Sequence, residues 1–317
     1  MTTALVVPSC REAQLAGFLD AWGSARFWDV LVVVEDGPAR TFDVDTPHHY
    51  SWSEIDAELG GSSWIVSRRD SAIRCFGFWK AHRIGCRHVV TLDDDCLPLP
   101  GRDYLSEHLQ ALHATPRWSE SVPGLRTRGL PYDDRGVLPN VMLNVGLWTG
   151  VPDFDAPHQL VRGTMTDFVP PDDGRVLPRG QYAPICGMNL CFRREFAPLA
   201  YFPLQGEGWP YRRFDDIWFG VIAQKACDHL GWQITMGRPW VRHARASDVY
   251  QNLVKEAPGI GFNERFWRVV DAVDLSGCAT PCECIRRVGQ DLARGEVDYL
   301  RRLGGALREW SELFPPS

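Results

Sequence analysis

Four short apolar runs, Ala4–Val7, Val30–Val34, Ser63–Ser67 and His88–Leu92, limit what this chain can fold into. They lack polar alternation, so they read as strands covered on both faces. Between the first two, Glu12–Trp22 places Leu15, Phe18, Leu19 and Trp22 at helical spacing. After the third, Asp70 is the expected N-cap of a helix over Ser71–Ile84. Strand–helix–strand alternation of this kind argues a parallel α/β sheet with helices on both sides. Ligands of such sheets bind beyond the carboxyl ends of the strands. Three runs end there in polar residues: Val7-Pro8-Ser9, Val34-Glu35-Asp36-Gly37 and Leu92-Asp93-Asp94-Asp95.

Past Gly101 the pattern weakens. Asn140–Trp148 and Ile185–Phe192 are further strand candidates, and Asp215–His229 reads as a helix stopped at Gly231. Trp232–Met236 returns as a strand, and His243–Ser247 reads as a polar loop. After Phe262 the chain looks helical, most clearly over Asp291–Leu307. The expected division is a catalytic unit over 1–255 with a helical extension over 256–317. With 44% apolar and 23% charged residues, the 317-residue chain has a globular composition. A net charge of −6 disfavours a nucleic-acid reader. No run approaches the roughly 18 apolar residues of a membrane span, and the N-terminus carries no secretory pattern, so a cytoplasmic location is expected. Ten scattered cysteines fit reduced thiols there. Cys278, Cys282 and Cys284 lack the spacing and the local fourth ligand of a zinc knuckle, and they read as structural.

The chemistry concentrates in carboxylates. Three consecutive aspartates at the end of a buried strand repel one another unless something compensates, and oxygen ligands suit Mg2+ or Mn2+. In an extended segment Asp93 and Asp95 would share a face with Asp94 opposite, and a cation there could neutralise a diphosphate. Asp215-Asp216 opens a helix, where aspartates commonly cap; they could also orient sugar hydroxyls or accept a proton. His243 is either a structural histidine or a third metal ligand. Asp70 and Arg74 lie one helical turn apart and can pair, while Arg74 could instead hold a phosphate in a bidentate fork. Of the 34 cationic residues only Lys80, Lys225 and Lys255 are lysines, a bias that fits a GC-rich genome.

Several segments together resemble one family. They are Asp70-Ser71-Ala72-Ile73-Arg74-Cys75-Phe76-Gly77-Phe78, Thr91–Cys96, Gly146-Leu147-Trp148 with Pro152–Pro157, Cys186–Leu190, Arg213–Trp218, Cys227–Gly231 and His243–Ser247. In order, they resemble the reversibly glycosylated polypeptides, the UDP-arabinopyranose mutases of plants. The resemblance covers Val6 to about Glu256. It implies a GT-A-like fold of the nucleotide-diphospho-sugar transferases: a mixed, mainly parallel sheet flanked by helices, with a helical C-terminal extension. It also implies dependence on Mn2+ or Mg2+, a UDP-sugar substrate and association into homo-oligomers.

By the same resemblance the triplet Asp93–Asp95 holds the metal and the diphosphate; together with the positions read above, the expected metal ligands are Asp93, Asp95 and His243. Pro8, Ser9, Asp36, Asp70, Arg74 and Asp94 bind the nucleotide, with Asp36 at the nucleoside. Asp215 and Asp216 act on the sugar. The segment Gly129–Gly136 places Arg135 at the position that carries the sugar covalently in that family, although Asp133-Asp134 depart from its pattern. No G-x-G-x-x-G follows a strand, so a flavin is not expected. The expected activity is a flavin-independent exchange of pyranose and furanose forms of a nucleotide sugar. A transferase acting on a separate acceptor and a self-glycosylating scaffold are the alternatives.

Overall fold

The computed structural model describes residues 2–113, 128, 140–163, 165–172, 174–244 and 248–314. The first half follows the expected alternation. Strand β1 (Thr3–Ser9) leads to helix α1 (Glu12–Gly23), and β2 (Val30–Glu35) to the two-residue β3 (His49–Tyr50) and α2 (Trp52–Leu59). Helix α3 (Arg74–Ile84) then precedes β4 (His88–Leu92) and the short β5 (Cys96–Leu97). These four strands β3, β2, β1 and β4 are parallel neighbours. Both faces of β1 are covered. Ala4 and Val6 pack under α3, while Leu5 and Val7 face Phe18 and Trp22 of α1. At Gly77 of α3 a Cβ would lie 2.5 Å from Val6 Cγ1, so only glycine allows that helix to sit this close to the sheet.

The second half adds α4 (Tyr104–His113), β6 (Val141–Gly150), α5 (Ala156–Arg162), β7 (Arg175–Val176) and β8 (Asn189–Arg193). Helix α6 (Asp215–Leu230), β9 (Gln233–His243), α7 (Val249–Asp271), α8 (Pro281–Leu292) and α9 (Asp298–Glu312) complete it. The sheet order is β3-β2-β1-β4-β8-β6-β9-β5, with β7 on β9. Because β8 runs antiparallel to both β4 and β6, the sheet is mixed. The loop that enters β8 therefore arrives at the same edge where β4 ends in Asp93.

Four expectations differ from the structure. Ser63–Ser67 is not a strand: a 3-10 helix spans Gly60–Ile65, and β3 already holds the sheet edge beside β2. Ile65 and Val66 bury into the helical layer instead, where the Tyr201 hydroxyl donates to the Ile65 carbonyl at 2.6 Å. The stretch Asp291–Leu307 is two helices. Periodicity runs across the Ala293–Val297 turn because α8 and α9 each bury one face against the same core. The hairpin closes with backbone against backbone, since a Cβ on Gly289 would lie 2.7 Å from the Gly304 carbonyl oxygen. Strand β9 is also longer than Trp232–Met236 and ends at His243 rather than before it. The expected boundary at 255/256 falls inside α7, whose Phe262 and Phe266 belong to the main core. No described helix is long and apolar enough to cross a membrane.

A buried polar network joins the strands of the second half. His108 on α4 accepts at Nδ1 from the Asn144 amide (2.8 Å), and its Nε2 faces Asn189 Oδ1 (3.2 Å) and the Tyr104 hydroxyl (3.1 Å). Thr235 donates to Asn144 Oδ1, and the Asn189 amide donates to the carbonyls of Leu147 and Pro239. These bonds bridge the point where β6 and β9 lose register, between Gly146 and Leu147. Burial holds the His108 imidazole neutral, with its pKa down to about 3, and lowers His88 to about 4.

Unfolding would restore both histidines to roughly 6.5 and let them bind protons, so the unfolded chain is the more protonated state between the two values. Their contribution is complete above about pH 6.5 and declines as pH falls toward the folded values, by about 1.4 kcal/mol per pH unit for each histidine. Urea denaturation at pH 7 and pH 5 is expected to show this loss, and His108→Gln should make the decline shallower. An unchanged slope in that variant would remove His108 from the account.

Candidate active site

The aspartate triplet forms a turn, not an extended segment: the Cys96 amide donates back to the Asp93 carbonyl at 3.0 Å. The three carboxylates consequently diverge to three partners. Asp94, 3% exposed, accepts from Ser9 Oγ at 2.6 Å and from the Arg11 guanidinium. Gln14 reaches its backbone carbonyl from α1. Asp95 faces His243, with Oδ1 4.0 Å from Nε2, because Cys96 on β5 pairs with His243 on β9. His243 Nδ1 donates to the Val151 carbonyl at 2.7 Å, which leaves Nε2 as the ring nitrogen that faces that carboxylate. Burial and the neighbouring Asp93 push the Asp95 carboxyl up to about 6.

Asp93 turns the other way, onto Arg74. That guanidinium is 1% exposed and fully engaged. It donates from Nε to the Ser71 carbonyl (2.9 Å), from Nη1 to Thr91 Oγ1 (3.1 Å) and the Gly187 carbonyl (2.6 Å), and from Nη2 to Asp93. Phe202 lies beneath it, ring centroid 5.5 Å away. With Nε, Nη1 and Nη2 each given to a protein acceptor, Arg74 ties the start of α3 to the β4 tip and to the loop before β8. Its pairing runs to Asp93 rather than along the helix to Asp70.

Asp70 caps the turn into α3 by accepting from the Ala72 amide at 3.1 Å. Behind it, Asp36 accepts from the Trp52 indole (2.8 Å) and from the Arg69 and Asp70 amides (2.9 and 3.0 Å). Asp215 accepts from Ser71 Oγ at 2.7 Å, and Asp216 Oδ2 from the Gly187 amide at 2.8 Å. Burial and the charge of Asp215 hold both Asp70 and Asp216 well above the ordinary carboxyl range, and burial raises Asp215 itself. Pro8 is buried within β1. Arg135 lies outside the described residues.

Asp70, Arg74, Asp93, Asp215 and Asp216 line one cleft of about 1130 Å3. Ser9, Asp36, Asp94, Asp95 and His243 are not in its lining; they form a shoulder at the strand tips, next to Asp93 along the chain and linked to Asp70 by its amide bond to Asp36. Residues not singled out in the sequence complete the arrangement. Arg11 holds Asp94; Gly187 serves Arg74 with its carbonyl and Asp216 with its amide. The side chains of Asp153 and Cys186 converge with Asp216, their ligand atoms within 4.8 Å of one another. Glu256 and Arg213 close the far wall. Most of these stand within or beside the segments that carry the resemblance; Arg11 and Glu256 have no local signal.

The fold and cleft define an α/β protein that gathers carboxylates around one buried arginine at the carboxyl ends of its strands. A family model for reversibly glycosylated polypeptides matches residues 3–315. The chain is 32% identical over 336 residues to a probable UDP-arabinopyranose mutase 1 of Pisum sativum, covering 98% of this chain and 89% of that one. It is 32% identical over 340 residues to UDP-arabinopyranose mutase 1 of Arabidopsis thaliana (99% and 93% covered). With mutase 3 of the same plant the figures are 31% over 340 residues, 98% and 90% covered. The chain belongs to the reversibly glycosylated polypeptide family. A solved mycobacterial protein superposes with a TM-score of 0.37 at 14% identity, over 91% of this chain and 75% of that one, too loosely to add to the fold.

Arg74→Ala would leave Asp93 without its counter-charge and two buried carbonyl and hydroxyl acceptors unmet. Breaking a buried ion pair from one side typically costs about 3–5 kcal/mol; with Asp93 33% exposed, about 3 kcal/mol is expected. Urea midpoints of the two proteins measure it, and a loss below about 1 kcal/mol would reduce Arg74 to an ordinary surface pair.

Proposed function

We propose that this protein is a nucleotide-sugar mutase that interconverts the pyranose and furanose forms of a UDP-sugar, UDP-L-arabinose first among them. The observation that carries the reading is alignment over nearly the whole chain with relatives bearing that name. The cleft supplies groups suited to the chemistry.

Ring contraction breaks the bond from C1 to the diphosphate, whose oxygen keeps the electron pair. O4 then bonds to C1 and loses its proton, the C1–O5 bond opens, and O5 gains a proton before the diphosphate returns to C1. One proton leaves O4 and one arrives at O5, so a carboxyl that can accept and return it suffices. Asp215 and Asp216 fill this role: carboxyls raised toward neutrality sit closest to the ideal for proton transfer in both directions. Arg74 keeps them and Asp93 together without itself reacting.

The shoulder suits a divalent cation such as Mn2+ or Mg2+. Its donors are carboxylate oxygens plus an imidazole whose tautomer is fixed by the Val151 carbonyl, leaving Nε2 free toward Asp95. Asp95 and His243, which face each other, would hold the ion, while Asp93, expected beside them, is turned onto Arg74 on the cleft side; when bound, the ion neutralises charge on the diphosphate. Asp94 serves by orienting the turn through Ser9 and Arg11. Asp36 lies where the nucleoside would rest, and Arg135 is a candidate sugar carrier. A GT-A-like reading of the fold agrees with this placement of the nucleotide across the strand tips.

Incubation with Mn2+ and a panel of UDP-, GDP- and dTDP-pyranoses, read by chromatography, should yield a furanose isomer from a UDP-sugar; no isomer from any of them would sink the proposal. Asp216→Asn is expected to lower kcat by about a hundredfold or more with a much smaller change in KM. Intact mass with and without Arg135→Ala separates the routes: full turnover without this arginine removes a covalent sugar intermediate.

A further inference from the structure

Arg213 stands in the turn before α6 with φ of 65°, a backbone conformation for which glycine or asparagine is the ordinary choice. Its neighbours hold it there. The Phe214 amide donates to Gln205 Oε1 at 2.9 Å, and the Phe214 ring packs so closely on Gly259 of α7 that a Cβ would lie 2.5 Å away. Glu256, 3% exposed, accepts from Arg213 Nε at 2.7 Å through one oxygen and from the Ala156 amide at 2.7 Å through the other. The guanidinium is thereby fixed by an acid that also ties α5 to α7. Nη1 and Nη2 have no partner among the described residues, and the side chain lines the cleft with 36% of its surface exposed.

Among the described residues, no other cation in the cleft offers as much. Arg74 is consumed by its own acceptors, His158 pairs with Asp155, and Arg162 is exposed above the Phe154 ring. The floor is acidic, with Asp93, Asp153, Asp215 and Asp216 around it. A dianionic group entering that cleft needs a held positive charge, and a guanidinium with two free nitrogens matches phosphate oxygens in a bidentate fork.

We propose that Arg213 grips the terminal phosphate of a bound nucleoside diphosphate. The proposal rests on the nucleotide-sugar reading above and adds the residue that reads the diphosphate from the cleft side. There it stabilises the charge that gathers on this phosphate when its bond to the sugar opens, and it does so equally on return.

Calorimetric titration of the full-length protein in Mn2+ with UDP, UMP and uridine tests it. Arg213→Ala should weaken UDP about ten- to a hundredfold, the worth of a charge-assisted hydrogen-bonded contact, and leave UMP and uridine unchanged. Should the alanine variant fail to fold by near-ultraviolet circular dichroism, Arg213→Lys carries the comparison. It keeps the charge without the fork and should weaken UDP alone, by a smaller factor. Wild-type affinity for UDP in the folded variant overturns the assignment of Arg213, as does equal weakening of all three ligands. If the wild-type protein binds no UDP, that result overturns the nucleotide-sugar reading with it.

Discussion

The candidate site depends on one buried charge. Arg74 is the only arginine or lysine among the described residues that lies fully inside the protein, and it lies where four segments meet. The pairing of β4 with β8 brings the Gly187 carbonyl, the Thr91 hydroxyl and Asp93 near one another, and without the Arg74 donors these acceptors would be unmet and Asp215 and Asp216 would face Asp93 unshielded. A lysine could supply the charge but not three nitrogens in one plane. Burying a guanidinium is costly unless its protons are met, and here every nitrogen is. The expense is tolerable because a planar cation, once enclosed, fixes the spacing of the acids around it.

The same economy shapes the strand tips. Each aspartate of the triplet answers a different segment: Asp93 to α3, Asp94 to β1 and α1, Asp95 to β9. Turning rather than extending lets three adjacent like charges separate, which reduces their mutual repulsion before any cation arrives. The antiparallel β8 then brings the Cys186–Met188 loop across the opening, so a backbone amide and a backbone carbonyl from one glycine serve two side chains of opposite charge.

Much of this was legible in the sequence, and what was not has physical reasons. The runs at β1, β2 and β4 announced themselves because strands covered on both faces carry uninterrupted apolar residues. The aspartates were visible because acids at the end of such runs are expensive. Ile65-Val66 misled because an apolar pair buries equally well in a helical layer. The turn at Ala293–Val297 was hidden because periodicity reports a buried face and not chain direction. Arg11 and Glu256 gave no signal, since a partner contributed by a distant element leaves no local pattern. Arg213 stood in plain view between an arginine and a phenylalanine, and only its left-handed backbone and the clamp from Glu256 set it apart.

The closing helical hairpin is more than an appendage. From α9 the Tyr299 hydroxyl donates to the Leu204 carbonyl at 2.9 Å, and Trp310 donates to that of Pro198. Two residues beyond Leu204, Gly206 presses against Asp70, leaving no room for a Cβ, which would come within 2.7 Å of that residue's own. The hairpin thus works as a buttress behind the cleft floor. Cutting the chain after α7 would take away the support behind the segment that Asp70 leans on, so the shape of the opening is set partly by residues that never reach it.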